Sequence, residues 1–83
     1  MDHYLFTARS ITHAQQMAKA LERAGVGARL RRVGGGFTKN GCGYTLQVAE
    51  RKYHQASDAL RAAGLRPVKV FHVVDGVSQE VMM

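Results

Sequence analysis

The sequence predicts an α+β fold in which a four-stranded antiparallel sheet carries two helices on one face. Three observations lead to this prediction. Six segments of regular hydrophobic period follow one another as strand, helix, strand, strand, helix, strand. Each helical segment stops at a glycine, Gly25 or Gly64. Ala20-Leu21-x-x-Ala24-Gly25-Val26 also returns 39 residues later as Ala59-Leu60-x-x-Ala63-Gly64-Leu65, which divides the chain into two similar β-α-β halves. Two such halves joined in series give the ferredoxin-like βαββαβ order.

The elements follow from local pattern. His3-Tyr4-Leu5-Phe6-Thr7-Ala8 is aromatic and aliphatic without a breaker and reads as the first strand. Ser10 supplies a helix N-cap, after which Ile11, Ala14, Ala18 and Leu21 recur at helical spacing between Gln15, Gln16, Lys19, Glu22 and Arg23. Val26, Ala28 and Leu30 alternate with Gly27, Arg29 and Arg31 in a second strand ending near Val33. Five glycines between Gly34 and Gly43, together with Lys39 and Asn40, make the next stretch a loop. Tyr44-Thr45-Leu46-Gln47-Val48 alternates again as a third strand. Tyr53, Ala56, Leu60 and Ala63 mark the second helix, and Val68 to Val74 is a fourth strand rich in β-branched residues.

Composition limits what such a domain does. The 83 residues are expected to form a single domain over 1–74, followed by a tail at 75–83 that lacks a period and is expected to be loose. Twelve Lys and Arg against six Asp and Glu leave a charge of +6 with the histidines neutral. No run reaches the roughly 18 apolar residues of a membrane span. Met1-Asp2-His3-Tyr4 also lacks the basic and apolar regions of a signal peptide, so the expected compartment is the cytoplasm. The single cysteine, Cys42, excludes an internal disulfide and a multi-cysteine zinc site. His3, His13, His54 and His72 show no ligand spacing, and Gly34-Gly35-Gly36 is followed by a strand rather than by the helix that a phosphate cradle needs, so neither metal nor cofactor is expected. At this size a large catalytic cleft is not expected, which points to a carrier or binding protein rather than an enzyme. The sheet face away from the helices is left for a partner, and a homodimer through that face is one expectation.

Cys42 is the residue with distinctive chemistry. Gly41 and Gly43 flank it and leave its sulfur sterically open, while Arg31, Arg32 and Lys39 lie on the strand end and loop leading to it. Nearby cations favour a thiolate, which predicts a reactive thiol. On spacing alone a second reading stands beside this one, in which Cys42 is a small buried hydrophobe at a strand start. Arg9 and Ser10 form the first strand-to-helix turn. In this topology that turn is expected to lie near the Cys42 loop, although Ser10 is also simply a helix cap.

Tyr4-Leu5-Phe6-Thr7-Ala8-Arg9-Ser10, the alanine-bearing helix ending in Leu21-x-x-Ala24-Gly25-Val26, and Cys42-Gly43-Tyr44 entering a strand together resemble the selenium/sulfur carrier-like proteins, a family of small bacterial domains. The resemblance runs from about Tyr4 to Val73. It implies that Cys42 carries sulfur or selenium as a persulfide or selenosulfide, taken from a donor protein and passed to an acceptor. Members of that family usually carry a proline-containing segment after the second strand. Here Arg32-Val33-Gly34-Gly35-Gly36-Phe37 stands in its place, a change that bears on partner choice more than on thiol chemistry.

A module that binds RNA, or a small ligand, is the alternative. RNA-recognition motifs share the strand order, and Asn40-Gly41-Cys42-Gly43-Tyr44 overlays part of their third-strand signature. The overlay puts Cys42 where a stacking aromatic belongs. Leu46 and Val48 share the face of Tyr44, so Tyr44 is expected to be buried against a helix. Tyr4, Phe6 and Phe71 are likewise expected to pack rather than to form a stacking platform.

Overall fold

The computed structural model describes residues 2–33 and 43–81. Strands β1 (His3–Ala8), β2 (Ala28–Val33), β3 (Gly43–Ala49), β4 (Val70–Val74) and β5 (Val77–Val81) form one sheet in the order β2-β3-β1-β4-β5, every adjacent pair antiparallel. Helix α1 (Ile11–Arg23) joins β1 to β2, and α2 (Tyr53–Ala62) follows β3 through a short 3₁₀ turn at Glu50–Lys52. The expected βαββαβ order is therefore present, but the sheet has five strands where four were expected. The fifth comes from the segment set apart as a tail. Val74-Asp75-Gly76-Val77 closes a two-residue hairpin in which Asp75 and Gly76 both take positive φ, 51° and 81°, the backbone that an Asp-Gly pair favours.

Both helices end in the same way, and this explains the repeated sequence. In α1 the Gly25 N–H donates to the Glu22 carbonyl and the Val26 N–H to the Leu21 carbonyl; in α2 Gly64 donates to Arg61 and Leu65 to Leu60. These are Schellman caps, which need a left-handed residue after the last turn, and Gly25 and Gly64 have φ of 77° and 71°. The leucine and the apolar residue after the glycine in each copy are the hydrophobic pair of the motif. Because the Val26 N–H is committed to this cap, β2 starts at Ala28 rather than at Val26.

The core lies between the helices and one sheet face. Phe6, Leu46, Val48 and Val70 of the sheet meet Ala14, Met17 and Leu21 of α1 and Ala56 and Leu60 of α2. Met17 takes the central position on α1, whereas Ile11, expected on the buried stripe, is exposed at the helix start. Fully buried Phe6, Met17, Leu21, Leu46 and Leu60 each contribute about 1.5–3 kcal/mol. The small residues Ala14 and Ala56 keep the helix axes near the sheet. The helices are further tied by Gln55, whose side-chain amide donates to the Ala24 carbonyl at 2.6 Å, satisfying an acceptor at the end of α1. Leu5, Thr7, Thr45 and Val73, one residue out of phase with the core positions of their strands, are also buried.

Candidate functional site

Strand register fixes which chain segments share one end of the sheet. Tyr44 pairs with Ala8 of β1 and Arg32 of β2, and Gly43 pairs with Val33. The start of β3 therefore lies at the C-terminal ends of β1 and β2. Arg9 and Ser10 follow Ala8 directly. The segment leading into β4 reaches the same end, because the Val68 N–H donates to the Thr7 carbonyl at 2.8 Å and the Thr7 N–H to the Lys69 carbonyl at 2.9 Å. Of the residues expected to surround the thiol, Arg9, Ser10, Arg32 and Gly43 are brought to this end, while Cys42, Gly41 and Lys39 lie outside the described residues, as does Gly34-Gly35-Gly36.

The β1–α1 turn is held by its own side chains. The Ser10 hydroxyl accepts from the His13 N–H at 3.1 Å, which makes it the expected N-cap. His13 answers by accepting the Arg9 N–H at Nδ1, 3.2 Å away. That bond requires a ring nitrogen without a proton. Burial, and next the Arg9 charge, lower the His13 pKa from the ordinary 6.5, so the neutral form that accepts the bond is favoured. Beyond the turn, an open groove joins Arg9, Ser10 and His13 to Leu65 and Arg66 after α2.

Sequence patterns did not reveal two further clusters. Next to the first groove, Arg61, Arg66 and Lys69 rim a cleft of about 440 Å³ between the end of α2 and the β4–β5 hairpin. Its only sequence signal is the run of cations on both sides of Gly64-Leu65. At the far end of the sheet Tyr4 is stacked between Tyr53 and His72, with centroid distances of 4.1 and 4.2 Å, and His72 Nε2 lies 2.6 Å from a Glu50 carboxylate oxygen. Burial first, then Tyr53 and Glu50, raise the Tyr4 pKa above 10.0. Tyr44 packs against the helix-side core and Phe6 is fully buried, as their phase predicts. Among the described residues no group of three or more His, Cys, Asp or Glu is placed to hold a metal ion, and no helix is long and apolar enough to cross a membrane.

A family model described as "Putative Se/S carrier protein-like" matches residues 3–72. The chain belongs to this family. The Se/S carrier-like match takes in β1 through the middle of β4 and includes the position of Cys42, while the β5 hairpin falls outside it. No curated protein and no solved structure matches the chain. The Se/S carrier-like description names carriage of an atom rather than turnover of a substrate.

Proposed function

We propose that the protein carries sulfur, or selenium in the same role, on the thiol of Cys42. The observation that carries this reading is that a chain matched to a Se/S carrier-like family over residues 3–72 has a single cysteine. A persulfide needs a thiol, and the four methionine thioethers cannot form one. Arg9, which follows the end of β1 that pairs with the start of β3, carries positive charge of the sign that favours a thiolate.

The transfer needs no group beyond the two proteins. The Cys42 thiolate attacks the terminal sulfur of a donor persulfide; the new S–S bond forms as the donor's S–S bond breaks, and the donor leaves as a thiolate. An acceptor thiolate then attacks the outer sulfur on Cys42, takes it as its own persulfide and releases the Cys42 thiolate. Each step is a thiol–disulfide type exchange, so the oxidation level travels with the sulfur and no external oxidant is consumed. The protein works here as one ferredoxin-like domain with a strand added beside β4, in a bacterial cytoplasm whose reducing pool keeps a lone thiol free.

Alkylation of Cys42 as a function of pH, on the folded protein and in denaturant, tests the reading. Reaction that persists well below the unfolded thiol's pKa, followed by a mass gain of one sulfur atom on incubation with a persulfide donor and its absence in Cys42→Ser, is the expected result. A thiol inert until the protein unfolds makes Cys42 a packing residue and overturns the proposal.

A further inference from the structure

One end of this domain mixes acids with the cations Arg51 and Lys52, whereas cations dominate the other. Asp2 and Asp75 meet at the N-terminal end of β1, where the Asp75 N–H donates to an Asp2 carboxylate oxygen at 3.4 Å, and Glu50 lies at that end beside His72. The opposite end carries Arg9, Arg61, Arg66 and Lys69, and Glu80, the one acid lining its cleft among the described residues, is 3.8 Å from the Lys69 ammonium. The cleft is also apolar within. Leu65 and Val81 are half-buried parts of its wall, Val70 is buried beneath, and Val68 remains 52% exposed.

We propose that the cleft between α2 and the β4–β5 hairpin, floored by Leu65, Val70 and Val81 and rimmed by Arg61, Arg66 and Lys69, docks an acidic, apolar-bearing segment of a partner protein. That this partner is the one exchanging sulfur with Cys42 rests on the carrier reading; the docking chemistry does not. A cationic rim selects carboxylates, steers their approach and weakens with salt. The apolar floor selects aliphatic side chains, which a nucleic acid lacks.

The test uses Cys42→Ser protein, so that binding is read without thiol chemistry, and three fluorescent probes: a short peptide of alternating glutamate and leucine, the same peptide with glutamine for glutamate, and an oligouridylate. The acidic peptide is expected to bind, to weaken with added salt, and to lose about tenfold or more in affinity in an Arg61→Gln/Arg66→Gln double variant, both side chains being exposed and expendable for folding. Val68→Asp should give a comparable loss, and Lys52→Gln, at the far end, none. Equal binding of the glutamine peptide, tighter binding of the oligouridylate, or no loss in the arginine variant overturns the proposal. A reactive Cys42 thiol alongside such a result would leave the carrier reading standing, and an inert thiol alongside tight, arginine-dependent peptide binding would overturn the carrier reading alone.

Discussion

Thr7 and Thr45 stand opposite each other in the β1–β3 ladder, both buried, yet among the described residues only the Thr7 hydroxyl is satisfied. Thr7 Oγ1 accepts the Lys69 N–H at 2.7 Å and donates to the Lys69 carbonyl at 3.0 Å, whereas Thr45 Oγ1 has no partner among the described residues. The two residues look equivalent in sequence and carry opposite free energies. Thr45→Val keeps the shape and removes an unpaired hydroxyl, so it should stabilise the domain by about 1 kcal/mol. Thr7→Val strands the Lys69 N–H and should cost about 2 kcal/mol. Urea midpoints at constant m value decide both, and a destabilised Thr45→Val would mean that the hydroxyl has a partner.

The pair formed by Glu50 and His72 fastens the turn after β3 to β4, with the Tyr4 and Tyr53 rings stacked alongside. His72→Ala removes both the hydrogen bond and one side of the stack and should cost about 1–2 kcal/mol. His72→Phe keeps the stack and should cost less. Equal losses in the two variants would assign the effect to the hydrogen bond alone.

Acid should loosen the β1–α1 turn. His13 accepts the Arg9 N–H only when Nδ1 is unprotonated, and its folded pKa lies below the unfolded value of 6.5. A lowered folded pKa means that the unfolded chain takes up the proton first. The contribution of His13 is thus complete above about pH 6.5 and falls away as the pH drops through the folded pKa. Thermal unfolding from pH 7.5 to pH 5, at about constant ionic strength, should show a smaller acid loss in His13→Gln than in the parent. Parallel curves would argue against this.

The two helix caps predict a matched pair of effects. Gly64 has open space where a Cβ would stand and φ of 71°, so Gly64→Ala should be destabilising through the backbone alone, by about 1 kcal/mol. Gly25→Ala, at φ of 77° with Gln55 Nε2 4.0 Å from the added carbon, should lose a similar amount. A neutral Gly64→Ala, read by chemical denaturation, would show that the cap relaxes out of the left-handed region.

Sequence pattern succeeds where burial is periodic. The core positions of β1 and β3 alternate, α1 and α2 each bury one stripe, and the duplicated caps mark where the helices end. Strand β5 escaped because it lies at the sheet edge with Val77, Ser78, Gln79 and Glu80 exposed, so it has no buried face for alternation to report. The local signal was Asp75-Gly76 between valines. That Arg9 and Ser10 follow the end of β1 facing the start of β3 was legible because β1 pairs with β3 in any such topology, while the Cys42 loop itself lies outside the described residues. The Arg61, Arg66 and Lys69 rim was not, since its residues come from a helix end, a connection and the approach to a strand, which only the folded chain brings together.

The central place of β1 also constrains how the molecule comes into being. One flank of β1 is covered by β3, beginning at Gly43, and the other by β4, beginning at Val70. A growing polypeptide that has not yet delivered Val70 therefore exposes an open β1 edge, ready to recruit a strand from a neighbouring chain. Closure waits for the β4–β5 hairpin, a local unit with a two-residue turn that forms on a microsecond scale of roughly 1–10 μs once synthesised. Until that hairpin docks, the chain stands in its most association-prone form, with one flank of its central strand unpaired.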